Sequence, residues 1–185
     1  MSILKWLGFC LTIFCIDISE SCKWTTFKLS YLNKKCMAHL WDISDFHGAC
    51  VEEVVDGIFL KGFYNNTKSE DVAVVALKTF GYVEQLFDSK LTPSTWNNGT
   101  FHLFKNCIFR QIQGLQECVG GAESSGDGRS DTGVNVSLTK AYFEKLNTVL
   151  KEKGHSTCAW EVVRMALHDN LKQFRSFLEL ILKRK

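Results

Sequence analysis

Apolar residues along this chain recur at steps of three and four, the period of a helix buried on one side. Segment A carries Leu29, Leu32, Cys36, Leu40 and Ile43 on one stripe. Segment B, residues 69–88, carries Val72, Val75, Ala76, Thr79, Phe80, Val83 and Leu86. Its Gly81 costs about 1 kcal/mol against alanine in a helix interior. Segment C, residues 97–119, carries Phe101, Phe104, Ile108, Ile112 and Leu115. Segment D, residues 137–153, carries Leu138, Tyr142, Leu146 and Val149, and Gly154 offers a stop. Segment E, residues 157–182, carries Val163, Leu167, Leu171, Phe174, Phe177, Leu178 and Ile181. Pro93 is the one proline in the sequence, so few breaks are forced. The pattern predicts an all-α protein.

The joints constrain the topology. B passes to C through a short connection holding Pro93, and C passes to D through Gly120–Gly128, too polar and glycine-rich to fold alone. Segments A and B are separated by about twenty-five residues, too many for an ordinary loop. That stretch holds Val54, Val55, Ile58, Phe59, Leu60, Phe63 and Tyr64, which must pack onto something. A long, partly buried crossover between the first two helices is what an up-up-down-down bundle requires.

Residues 1–21 read as a cleaved leader: a weakly basic start, an apolar run from Trp6 to Ile16, and Ser19 and Ser21 at small-x-small spacing. That run is about half the length a membrane span needs, and no second long run follows, so no membrane insertion is expected. The mature chain, residues 22–185, is the length of a single domain. It keeps six cysteines, Cys22, Cys36, Cys50, Cys107, Cys118 and Cys158, an even number behind a leader, which argues for disulfides and a secreted, extracellular protein. Three sequons agree, with acceptors Asn65, Asn98 and Asn135, each expected in a loop or at a helix start. Six cysteines allow fifteen pairings, and spacing alone does not choose among them. The net charge of +2 gives no reason to expect a nucleic-acid partner.

Catalytic patterns are missing. The histidines His39, His47, His102, His155 and His168 form no His-x-x-x-His pair, and there is no Cys-x-x-Cys, nucleophile elbow or phosphate-cradling glycine loop. Neither an enzyme, a metal site nor a cofactor is expected.

What remains distinctive is Cys158-Ala159-Trp160-Glu161-Val162-Val163-Arg164, preceded by Leu150-Lys151-Glu152-Lys153 and Ser156. This stretch resembles the last-helix signature of the type I interferons. The start Cys22-Lys23-Trp24 and the divergence elsewhere look more like a fish type I interferon than a mammalian one. The resemblance implies a five-helix cytokine bundle that bridges two chains of a heterodimeric class II cytokine receptor as a monomer and induces antiviral genes. It also implies the bridges Cys22–Cys118 and Cys50–Cys158, each closing a loop worth roughly 4–5 kcal/mol in the chain-entropy treatment. Cys36 and Cys107 depart from the family's four-cysteine pattern. Each lies near a whole number of helical turns from a bridging neighbour, so the two either meet as a third bridge or serve as buried thiols.

In the family, one receptor chain contacts the A–B loop and last helix, and the second contacts the faces of helices B and C. Carried over by position, the first surface comprises Val51, Val54, Arg164, Met165, His168 and Asp169. Asp169 departs from relatives that carry a basic residue there, and Val51 and Val54 replace larger or charged residues. Trp160, Arg164, His168 and Arg175 recur on segment E away from its apolar stripe. Trp160 is expected to tuck against segment D. Arg164 is expected at the surface, where Arg164→Ala weakens receptor binding without unfolding the protein. The alternatives are another helical cytokine, such as an interleukin-10 or type III interferon relative, and a secreted carrier whose aromatics (Phe101, Phe104, Phe109, Phe143, Phe174) line an apolar pocket.

Overall fold

The computed structural model describes residues 27–45, 50, 56–59, 61–65, 67–68, 71–122 and 130–183, leaving aside the side chains of 120–135 and 182. The leader expected at 1–21 lies outside the described residues. Among the described residues there are five α-helices and no strand: α1 over residues 27–42, α2 Val72–Phe87, α3 Asn98–Ala122, α4 Ser130–Glu152 and α5 Thr157–Lys183. None of them is long and apolar enough to cross a membrane.

Local chemistry sets the helix ends. The Asn97 carboxamide oxygen accepts the Thr100 amide at 2.9 Å, and the Ser156 hydroxyl oxygen accepts the Ala159 amide at 3.1 Å, so each caps the helix that follows. Helix α4 ends in a Schellman motif. The His155 amide donates to the Leu150 carbonyl at 2.7 Å and the Gly154 amide to Lys151 at 3.1 Å. Gly154 takes φ 58°, where a glycine is unstrained, and His155 follows at φ 54°. The chain thereby reverses into α5 within four residues.

Three ties give the directions. The Asn97 amide donates to the Ile43 carbonyl at 2.9 Å, so α3 starts where α1 ends. Phe87 packs on Phe104 at 5.2 Å between ring centres, making α2 and α3 antiparallel. The Asn33 carboxamide donates to the Leu171 carbonyl at 2.8 Å, while the first turns of α5 face the end of α1, so these two also run oppositely. Helices α1, α2, α3 and α5 therefore run up, up, down, down, and α4 runs back up before the tight turn into α5. The crossover behaves as its composition requires: Ile58 and Tyr64 are buried, and Tyr64 sits between Phe174 and Phe177 of α5.

The apolar stripes form the core, with Leu29, Cys36, Leu40, Ile43, Phe80, Phe104, Leu115, Leu146, Leu167 and Leu178 all buried. Three assignments need correction. Leu138 is exposed, and Thr139, one residue on, is buried in its place. Phe109 is 48% exposed, so it is not interior. The other aromatics pack against neighbouring rings, and the gap that Phe104 lines is about 20 Å³, the size of one water. Asn135 lies within α4, not at its start.

The cysteine framework is clear where it is described. Cys50 is bonded to Cys158 with Cα atoms 5.2 Å apart, and Cys36 to Cys107 at 5.6 Å. Cys118 is also disulfide-bonded, and Cys22, the partner the resemblance implies, lies outside the described residues. A bridge between α1 and α3 is reachable because Cα atoms sit about 2.3 Å off each axis. Helices packed 8–10 Å apart, axis to axis, thus bring facing Cα atoms to roughly 3.4–5.4 Å.

Candidate functional site

The head of α5 departs from the two-sided pattern of the rest of the helix. Ala159, Trp160, Glu161, Val162, Val163 and Arg164 are all buried. Cys158 holds this end to Cys50, the end of α1 closes one flank, and the connection between α2 and α3 closes another. Trp160 packs on Phe87 at 5.7 Å, Trp96 at 5.6 Å and His155 at 6.3 Å. It is thus buried as expected, and its ring contacts fall on the end of α2, the α2–α3 connection and the α4–α5 turn.

A helix head enclosed on every side has to bury its polar residues too, and here they are paired. The Arg164 guanidinium donates to one Glu161 carboxylate oxygen through Nε at 2.9 Å and Nη2 at 2.7 Å. Its Nη1 donates to the Leu40 and Trp41 carbonyls at 3.1 and 3.2 Å. The other Glu161 oxygen accepts the Trp96 indole N–H at 2.8 Å. Both charged side chains have no exposed surface. The expectation that Arg164 lies at the surface is therefore overturned. Arg164 supplies the last turn of α1 with donors it would otherwise lack, and Glu161 holds the α2–α3 connection to the same point.

Beside this clamp the surface opens. Met165, His168 and Asp169 are partly exposed along one flank of α5. The Trp41 ring, 44% exposed, tilts against His168 at 5.2 Å between ring centres. The Arg164 Cζ lies 6.0 Å from the centre of the Trp41 ring, so the indole rests over a buried cation whose Nη1 also binds its backbone. Asp169 accepts the Gln173 carboxamide at 2.8 Å. The structure therefore brings together three of the six residues assigned to this surface, Met165, His168 and Asp169. It withdraws Arg164 beneath them, and Val51 and Val54 lie outside the described residues. Trp41 was missed. Its signal was available: a tryptophan between Leu40 and Ile43 but off their stripe must project from the helix.

Further along α5 the flank becomes a groove of about 790 Å³ between the 59–67 loop and α5, with Phe59, Lys61, Asn65, Asp169, Lys172 and Phe177 among its walls. Its inner wall is fixed by Tyr64, whose hydroxyl donates to the Asn170 side-chain oxygen at 2.9 Å. Burial pushes the Tyr64 hydroxyl well above the usual phenol range, and burial does the same to Tyr142, which donates to the Ala166 carbonyl. Among the described residues no group of three histidine, cysteine or acidic side chains is placed to hold a metal.

An up-up-down-down bundle with a long packed crossover and disulfide staples is a helical cytokine. Comparison with known proteins gives the family. The family model "Interferon alpha/beta domain" matches residues 25–181, and the chain belongs to the type I, or alpha/beta, interferon family. It is 28% identical over 104 residues to interferon alpha-1 of Sus scrofa, an alignment covering 55% of this chain and 53% of that protein. It is 23% identical over 161 residues to interferon a3 of Oncorhynchus mykiss, covering 85% of each. Among solved structures, zebrafish interferon 2 superposes with a TM-score of 0.68 at 26% identity, over 79% of this chain and 96% of that one. The chain thus spans about half the length of the pig relative and most of the two fish proteins. The resemblance carried by Cys158–Arg164 is family membership.

Proposed function

We propose that the protein is a secreted type I interferon that bridges the two chains of a class II cytokine receptor and so switches on antiviral genes. Residues 1–21 act as the leader and residues 22–185 as the active, monomeric domain. The family match over residues 25–181 carries this reading. The mechanism is noncatalytic: each receptor chain binds a rigid helix face, and the kinases attached to the two chains are brought together. One surface comprises Met165, His168 and Asp169 with Val51 and Val54, and we add Trp41 at its edge. Arg164 acts from beneath, by holding the end of α1 in place. A partly exposed indole on a fixed backbone fits an interface anchor, because it loses little freedom on binding. The rival readings have less support, since the match is to the interferon alpha/beta domain and the core aromatics are packed together.

The test is a cell assay with purified residues 22–185, disulfides formed, reading tyrosine phosphorylation of the signal-transducing transcription factors. A rapid response at nanomolar dose, lost when either receptor chain is deleted, is expected. A folded protein that stays silent would reject the agonist reading.

A further inference from the structure

The groove between the 59–67 loop and α5 contains a sequon, Asn65-Asn66-Thr67. Asn65 is exposed and lines the groove, and its position is fixed by the backbone around it. The Asn65 amide donates to the Gly62 carbonyl at 3.0 Å and the Thr67 amide to the Tyr64 carbonyl at 3.0 Å, while Tyr64 is anchored between α5 aromatics. Gly62 takes φ 68°, a conformation that favours glycine, and so shapes the turn on which Asn65 sits. Thr67 is 7% exposed, and its hydroxyl oxygen has no hydrogen-bond partner among the described residues. Burying a hydroxyl unpaired is unfavourable, and valine would fill the space better. Recognition of the unfolded chain as a glycosylation acceptor gives the Thr67 hydroxyl a use that none of the described contacts supplies.

We propose that Asn65 carries an N-linked glycan that lies over this groove and screens the distal part of the α5 flank. The transfer occurs on the unfolded chain during secretion. Asn65 Nδ2 attacks the anomeric carbon of a polyprenyl-diphosphate-linked oligosaccharide; the C–N bond forms, the C–O bond to phosphate breaks, and the polyprenyl diphosphate leaves as the amide loses one proton. After folding, the sugar projects from a fixed point. Lys61, Lys172, Gln173 and Ser176 offer polar partners for its hydroxyls, and Phe59 and Phe177 offer apolar faces for its C–H groups. Asp169 lines the same groove, so the glycan sets how far a receptor reaches along α5. That last consequence rests on the receptor reading above, whereas occupancy and screening do not.

The experiment uses protein secreted from eukaryotic cells, peptide mass mapping of Asn65, and lysine acylation rates read residue by residue. Expected are an occupied Asn65 and acylation of Lys61 and Lys172 slowed several-fold against Asn65→Gln, with Lys78 on α2 and Lys151 on α4 unchanged. Thr67→Ala, which removes the sequon but leaves Asn65, reproduces Asn65→Gln, and Asn98→Gln leaves both groove lysines protected. An unoccupied Asn65, or equal acylation with and without the glycan, overturns the proposal. Loss of cell signalling in every form would instead reject the receptor reading and leave the labelling result standing.

Discussion

Replacing Arg164 with methionine keeps most of the side-chain volume and removes the charge. It leaves the Glu161 carboxylate buried with the Trp96 indole N–H still donating to it, and it takes one donor from the carbonyls of Leu40 and Trp41. Breaking one side of a buried pair costs about 3–5 kcal/mol, most of it the uncompensated charge. A domain of this size has roughly 5–15 kcal/mol in all. At about 3 °C per kcal/mol, the midpoint of thermal unfolding falls by roughly 9–15 °C. Pairing Arg164→Met with Glu161→Gln should cost clearly less than the single changes added together. Thermal and urea unfolding, followed by circular dichroism, measure both effects. A loss under about 1 kcal/mol for Arg164→Met would falsify the clamp and restore Arg164 to the surface.

Gly81 and Gly114 lie inside α2 and α3, and a Cβ at either meets nothing within 4 Å. Alanine at each should therefore stabilise by about 0.5–1 kcal/mol, additively, in the same unfolding assay. Replacing both Cys36 and Cys107 by alanine opens a bridge spanning 71 residues, which the chain-entropy treatment values at roughly 4 kcal/mol; a loss under about 1 kcal/mol would mean the bridge constrains little. At alkaline pH the native state keeps the Tyr64 and Tyr142 protons that the unfolded chain releases above its ordinary value of about 10. Stability should accordingly fall as pH rises past about 10, by up to roughly 1.4 kcal/mol per pH unit for each tyrosine, and Tyr64→Phe should flatten the slope.

The helices were legible because burial on one side leaves a period, and that period survives in Cys36, Leu40 and Ile43 or in Leu167, Leu171 and Phe174. The crossover was legible from its apolar content, and Ile58 and Tyr64 are buried as that content requires. Periodicity assumes a wet face, which is why it misplaced Arg164. The head of α5 has no wet face, because residues some 120 positions earlier in α1 and the connection at Trp96 close over it. Nothing local marks such enclosure. A Glu–Arg pair three residues apart reads the same on an exposed helix, where it is worth little. The slip from Leu138 to Thr139 has a similar origin, since a stripe fixes which residues share a face but not how the helix is rotated against its neighbours. Trp41 differs: its projection could be read from the stripe, but its partner His168, 127 positions away, could not.

The most direct test of the proposed receptor surface is the affinity of purified receptor ectodomains for Trp41→Ala and His168→Ala, with unfolding midpoints measured alongside. Each variant should keep its fold and bind one receptor chain more weakly by over about 1 kcal/mol, roughly fivefold, with the other chain unaffected. Unchanged affinity for both chains, in variants that remain folded, would contradict the placement of the receptor on the Trp41–His168 flank.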